Sequence, residues 1–295
     1  MDSMAFDLPG IDLSWCPGCG DFKILDSIKK ALAELGLGPL AELDIAPKDL
    51  VMVSGIGQAA KTPHYMKAHF FNGLHGRALS NATAIKAANP ALEVIAVGGD
   101  GDMYGEGGNH FTHTIRRNPG ITNLVFNNMV YGLTKGQASP TSPRGFRTSV
   151  QVDGVHAQPF NPLAAALVHG ATFVARAFAG NGDQTKEIIK RAIRHKGYAL
   201  VDIFQPCVSF NSVNTYKWFM DNTYTLEGHD EGDFGKAMEL ALLQEGPFPL
   251  GVLYRKEGGP VFEETLAAYR KDDRPLFRRE APRKAVKKLL ASLAG

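Results

Sequence analysis

Leu92-Glu93-Val94-Ile95-Ala96-Val97-Gly98-Gly99-Asp100-Gly101-Asp102 is an apolar run that stops abruptly in glycine and aspartate. A short, β-branched segment bounded by glycines predicts a strand buried on both faces. A helix over 109–117 comes next, and Ile121-Thr122-Asn123-Leu124-Val125-Phe126-Asn127-Asn128 repeats the strand pattern, ending in two asparagines. In an open α/β sheet, ligands bind beyond the carboxyl ends of the strands, so both motifs fall on one rim. The glycines let the backbone approach a diphosphate closely. Asp100 offers a hard carboxylate and Asn128 a neutral amide oxygen; with a backbone carbonyl from Val130 they suit a Mg²⁺ that also binds phosphate oxygens. Asp-Gly pairs are also common in β-turns, which is the plain alternative for the tetrapeptide taken alone.

Outward from this pair the rhythm continues. Segments 49–54, 172–177 and 198–204 read as buried strands, and 21–35, 76–88, 159–169 and 183–195 as helices. The first strand ends in Gly55-Ile56-Gly57, a strand-to-loop punctuation. Strands alternating with helices predict an α/β fold, a mostly parallel sheet sandwiched by helices.

With 295 residues the chain can form one large α/β domain with a tail, or two modest domains. A formal net charge of +2 offers no bulk field for nucleic acid or membrane. No apolar run approaches the roughly 20 residues that span a bilayer. The first ten residues lack the basic-then-apolar layout of a secretory signal, so a cytoplasmic location is expected. The three cysteines are Cys16, Cys19 and Cys207, the first two as C-x-x-C. An odd count at close spacing argues for metal or redox chemistry rather than disulfides, although free cysteine also packs as a small hydrophobe. After Cys207 the chain turns more polar and aromatic, with Tyr216, Trp218, Phe219 and Tyr224, and reads as a C-terminal extension.

Taken in order, Trp15-Cys16-Pro17-Gly18-Cys19-Gly20-Asp21, Ser54-Gly55-Ile56-Gly57, His75-Gly76-Arg77-Ala78, Gly98 to Asp102, Asn127 to Ser142, Gln205-Pro206-Cys207 and Pro249 to Arg255 resemble the β subunits of the 2-oxoacid:ferredoxin oxidoreductases. In that superfamily GDG followed by NN marks the thiamine-diphosphate site. The resemblance implies that Asp100, Asn128 and the Val130 carbonyl hold Mg²⁺. Gly99, Gly101, Asp102 and His75 would lie along the diphosphate, with Ser54, Gly55, Ile56, Gly57 and Gly132 close by. Cys16, Gly18 and Cys19 would sit near both cofactor and cluster. Leu133, Thr134 and Lys135 would face the 2-oxoacid, Lys135 as the cation for its carboxylate, although a solvated loop lysine is the plain alternative. Residues 1–208 would form the thiamine-diphosphate and Mg²⁺ domain, and 209–295 an extension packing on a partner subunit.

Family members hold a [4Fe-4S] cluster on four cysteines. Cys16, Cys19 and Cys207 match three of those positions, and Gln58 stands at the fourth. A neutral amide oxygen is a poor substitute for thiolate. A four-iron cluster with a non-thiolate ligand (Gln58, solvent or His64), a three-iron cluster, or none are the open outcomes.

The resemblance further implies oxidative decarboxylation of a 2-oxoacid, here 2-oxoglutarate, to an acyl-CoA and CO₂, with electrons leaving through the cluster to ferredoxin. The reverse, reductive carboxylation, is open to the same site. Thiamine enzymes also need a second domain whose glutamate activates the aminopyrimidine, and no such unit appears after Cys207. An α subunit is therefore expected, in an (αβ)₂ assembly. The basic tail, Arg278, Arg279, Arg283, Lys284, Lys287 and Lys288, would dock an acidic partner or be a solvated helix face. The competing readings are a non-oxidative thiamine-dependent decarboxylase or synthase without a cluster, and, more remotely, a non-enzymatic zinc-binding module on Cys16 and Cys19.

Overall fold

A computed structural model describes residues 3–36, 43, 45–243, 245–272, 274–280 and 282–294. Ten strands are seen among them: β1 (Leu50–Ser54), β2 (His69–Asn72), β3 (Glu93–Gly99), β4 (Thr122–Asn127), β5 (Val130–Tyr131), β6 (Gln137–Ala138), β7 (Phe173–Phe178), β8 (Ala199–Phe204), β9 (Thr223–Thr225) and β10 (Phe248–Arg255). Eight form one sheet in the order β2-β1-β3-β4-β8-β7-β10-β9, and β5 pairs with β6 alone. Neighbours from β2 through to β7 are parallel; β10 runs antiparallel to β7. The α/β sandwich expected from the strand–helix alternation is the observed fold.

Parallel strands require crossovers, and helices supply them. α1 (Gly20–Gly36) precedes the first strand, and the crossovers are α2 (Ala78–Ala88), α3 (Gly108–Arg117), α4 (Pro162–Val168) and α5 (Gly182–Arg194). Beyond β8 come α6 (Tyr216–Asp221), α7 (Phe234–Ala241), α8 (Phe262–Thr265) and α9 (Arg283–Leu293). Successive strand residues point to opposite faces. On one face Met52, Ile95, Leu124 and Val201 pack under α1 and α5, the latter presenting Ile188, Ile189 and Ile193. On the other, Val53, Ala96, Val125 and Leu200 meet Leu79, Phe111, Leu163 and Leu240 from α2, α3, α4 and α7. Both faces are covered, which is why β1, β4, β7 and β8 are buried at every position.

β2 is different. Its four residues, His69-Phe70-Phe71-Asn72, are all exposed at the sheet edge, so hydrophobic patterning does not announce it. The sheet also continues past residue 208, because β10 forms its antiparallel rung with β7. No helix among the described residues is long and apolar enough to cross a membrane.

Candidate active site

β3 and β4 are parallel neighbours with Gly99 in register with Phe126, so the loops leaving both strands emerge at the same rim. Asp100 leads into a wide helical turn, Gly101–Glu106. Asn127 and Asn128 lead into a reversal where Met129 adopts left-handed backbone (φ 58°). That conformation costs a residue with a Cβ about 1–2 kcal/mol. Side chains hold it: Ser142 Oγ donates to the Met129 carbonyl at 2.6 Å, and Asn211 Nδ2 to the Asn128 carbonyl at 3.1 Å. Asn128 Oδ1 in turn accepts from the Val130 N–H at 3.0 Å.

The reversal brings Asn128 and Val130 into the wall of the cavity that Asp100 lines. Ile56, Gly57, His75, Gly99, Gly101, Asp102, Gly132, Leu133 and Thr134 line it too. Asp100 is 1% exposed. Its Oδ2 accepts from Ser139 Oγ at 2.5 Å and Thr141 Oγ1 at 2.6 Å. Burial pushes this carboxyl up to about 6; the two hydroxyls pull it down and the Asp202 charge adds to the rise. A cation beside it would relieve that penalty.

Asp102 works differently. Its Oδ1 accepts from the Gly76 N–H at 2.8 Å and the Ile56 N–H at 3.1 Å, and lies 2.9 Å from His75 Nδ1. One carboxylate thus ties the loops after β1 and β2 to the turn after β3. Gly55 makes room for it, since a Cβ there would collide with the Asp102 carboxylate. Ser54 and Gly55 do not line the cavity. They stand behind it, held by Asn72 Nδ2, which donates to Ser54 Oγ and the Gly55 carbonyl at 2.8 Å each.

Gly57 has φ +131° and an added Cβ would meet nothing within 4 Å, while at Gly99 it would meet only the Phe126 carbonyl at 3.9 Å. The space in front of these glycines is open to a ligand rather than filled by the chain. A carboxylate, an amide oxygen and a backbone carbonyl are hard oxygen donors of the kind Mg²⁺ takes. The residues present therefore fit a Mg²⁺–diphosphate group.

A smaller cavity adjoins the first and shares Gln58, Asn128 and Gly132 with it. Cys16, Cys19, Cys207, Trp15 and Asp21 line this one. The structure thus brings together the three thiols and the glutamine that the family resemblance had grouped. Trp15 Nε1 donates to the Gln58 carbonyl at 2.9 Å, and the Gln58 side-chain Oε1 is buried with no hydrogen-bond partner among the described residues. Among the described residues no three His, Cys, Asp or Glu side chains converge tightly enough for a single metal ion. Thiols ringing a cavity, rather than a point, with an orphaned amide oxygen beside them fit a multi-iron group better than one tetrahedral zinc.

In the loop after β5, Leu133 and Thr134 are exposed and line the first cavity, and Thr134 Oγ1 donates to Gln137 Oε1. Lys135 takes φ 74°, is exposed, and is not among the cavity's lining residues.

The family model for the C-terminal TPP-binding domain of thiamine pyrophosphate enzymes matches residues 51–203, and that for the C-terminal part of the pyruvate ferredoxin oxidoreductase β subunit matches 207–271. Subunit β of 2-oxoacid:ferredoxin oxidoreductase 2 from Aeropyrum pernix is 45% identical over 267 residues, which cover 86% of this chain and 84% of that one. The chain belongs to the 2-oxoacid:ferredoxin oxidoreductase β subunits.

This β subunit is also 44% identical to the 2-oxoglutarate oxidoreductase subunit KorB of Mycobacterium tuberculosis over 68% of its own length and 52% of the relative's. A chain of the 2-oxoglutarate:ferredoxin oxidoreductase of Magnetococcus marinus, solved with 2-oxoglutarate, coenzyme A and succinyl-CoA bound, superposes with a TM-score of 0.88 at 36% identity, covering 98% of this chain and 96% of that one.

Behind the β subunit's rim lies a buried polar chain that motif reading misses. Asp202, fully buried, accepts from Tyr104 OH at 2.9 Å and Asn127 Nδ2 at 3.1 Å. Thr141 Oγ1 sits between Asn127 Oδ1 (2.9 Å) and Asp100 Oδ2 (2.6 Å). Arg176 lies in register with Asp202 on the neighbouring strand. A charge inside each of two apolar strands, Thr172 to Phe178 and Tyr198 to Phe204, was the available signal.

Proposed function

We propose that this β subunit carries the thiamine-diphosphate and Mg²⁺ site of an enzyme that oxidatively decarboxylates 2-oxoglutarate to its acyl-CoA and CO₂, or runs the reverse carboxylation, exchanging electrons with ferredoxin. The observation that carries the reading is the pair of adjoining cavities, one walled by Asp100, Asn128 and Val130 and the other by three thiols, joined through Gln58, Asn128 and Gly132. Relatives named for 2-oxoglutarate support the choice of substrate.

Asp100, Asn128 Oδ1 and the Val130 carbonyl would hold Mg²⁺, a cation that would offset the charge of the diphosphate. Gly99, Gly101 and the backbone N–H of Asp102 would border the diphosphate. The Asp102 carboxylate is already engaged by backbone and positions the His75 loop. Bound thiamine diphosphate supplies a carbanion and an electron sink for decarboxylation. Leu133 and Thr134 would border the 2-oxoacid, with the exposed Lys135 reaching its carboxylate once another subunit narrows the opening. Cys16, Cys19 and Cys207 would ligate an iron–sulfur cluster, with the orphaned Gln58 oxygen facing the iron that lacks a thiolate. Such a cluster accepts electrons singly, and its ligation sets its potential.

The activating glutamate comes from an α subunit, in an (αβ)₂ assembly, and part of the segment 209–295 packs on that partner. The extension's last helix, α9, supports this, because it buries none of its own residues.

The test is anaerobic co-purification with the α subunit. Iron and sulfide are quantified, EPR is recorded, and ferredoxin reduction is assayed with a panel of 2-oxoacids and coenzyme A. Activity highest on 2-oxoglutarate, absent from the β chain alone, with iron present, is expected. A colourless, iron-free complex that decarboxylates without reducing ferredoxin would establish the non-oxidative alternative instead.

A further inference from the structure

Arg176 faces a cavity that the rim chemistry does not use. Its side chain is 6% exposed, and neither Nε nor Nη1 has a hydrogen-bond partner among the described residues. Asp202 Oδ2 approaches Nε at 3.5 Å, so the charge is compensated on one edge of the guanidinium only. The flat faces are held by aromatic rings, with the guanidinium carbon 4.5 Å from the centroid of Phe204 and 5.5 Å from that of Phe248. Stacking of this kind fixes the plane of the fork while leaving Nε and Nη1 without a hydrogen-bond acceptor among the described residues. A buried donor without an acceptor costs free energy that any acceptor in the cavity would recover.

The cavity has about 700 Å³ of empty space, partly open to solvent. Besides Arg176, its walls include the apolar Met129, Phe160, Trp218 and Leu243 and the polar Asn127 and Thr141. It shares no lining residue with the rim cavity.

We propose that this cavity is a second ligand site, taking a small monocarboxylate with a flat apolar body: the carboxylate on the free edge of Arg176, the body between the aromatic walls. One buried cation, half answered by Asp202, matches a single negative charge. A phosphate dianion would leave excess charge in a low-dielectric setting. Because Thr141 Oγ1 touches both Asn127 and Asp100, an occupant shares two wall residues with the polar chain behind the rim.

The test is benzoate titration of the complete αβ complex by calorimetry, with and without saturating 2-oxoglutarate. Saturable binding at one benzoate per β chain, retained with 2-oxoglutarate present, is expected. The double variant R176M/D202N removes both buried charges together, avoiding a lone buried aspartate, and should weaken binding about tenfold or more. Leu243→Trp, at a 40% exposed wall position, should do the same by obstruction while leaving the buried pair intact, so the proposal stays testable if the double variant misfolds. Absence of saturable binding, full competition by 2-oxoglutarate, or wild-type affinity in Leu243→Trp overturns it. So does a structure of the complex with a partner side chain seated against Arg176.

Discussion

Asp100 and Asp21 are both buried carboxyls raised to about 6, chiefly by burial, yet their surroundings differ. Asp100 has two hydroxyls on Oδ2 and sits in the wall of the rim cavity. A metal must displace its proton. Mg²⁺ affinity should therefore be level above pH 6 and fall as pH drops below it, approaching about tenfold per unit. Mg²⁺-dependent thiamine diphosphate binding measured from pH 5 to 8 checks this, and a flat profile would count against Asp100 as a ligand. Asp21 lines the thiol cavity, where Gln205 and Cys19 pull its carboxyl down against the larger effect of burial. Its folded-state pKa lies above the ordinary 3.8, so folding favours the protonated form. Stability is lost as pH rises from about 4 through 6, and the loss is complete above that. In iron-free protein, Asp21→Asn should thus gain about 2 kcal/mol at pH 7.5 relative to its effect at pH 4.5, where part of the loss has already occurred. Urea unfolding at the two pH values measures it; a pH-independent difference would show the carboxylate to be otherwise satisfied.

At the scale of elements, the reversal between β4 and β5 places Asn128 and Val130 in the wall of the rim cavity. Ser142 clamps it twice, donating to the Met129 carbonyl and accepting from the Ser139 N–H at 2.9 Å. Ser142→Ala should destabilise the fold by about 1–3 kcal/mol and lower Mg²⁺ affinity several-fold through loosened positioning of Asn128. Calorimetric Mg²⁺ titration would show it, and unchanged affinity would mean that Asn211 alone holds the turn. The strand preceding this reversal was legible in sequence because β3 and β4 are apolar runs closed by glycine or asparagine, and β7 and β8 are largely apolar runs as well. The rim motifs were legible with them, since they abut those runs. What escaped was whatever lacks an apolar run or acts across sequence distance: the exposed β2, the clamps Ser139, Thr141, Ser142 and Asn211, and the Arg176–Asp202 pair, whose meaning appears only once β7 and β8 are in register. Lys135 was singled out for its charge; it is exposed, takes φ 74° and is not among the residues that line the rim cavity.

For the whole molecule, covered faces contrast with an unclaimed periphery. Helix α9 exposes Leu289 (60%), Leu290 (60%) and Leu293 (74%) beside its lysines. Deleting residues 283–295 should leave the thermal unfolding midpoint of the β chain unchanged while weakening α-subunit association about tenfold or more, measured by sedimentation. Undiminished association would assign the helix to solvent. The sheet edge at β2 matters in another way. β2 ends the sheet with Phe70 (48%) and Phe71 (49%) exposed. A bare outer strand invites a second chain to add to it. Newly synthesised β chains that wait without a mate are therefore candidates to clump through this margin. Producing both subunits in the same cell, rather than mixing them afterwards, is the preparation that the architecture recommends.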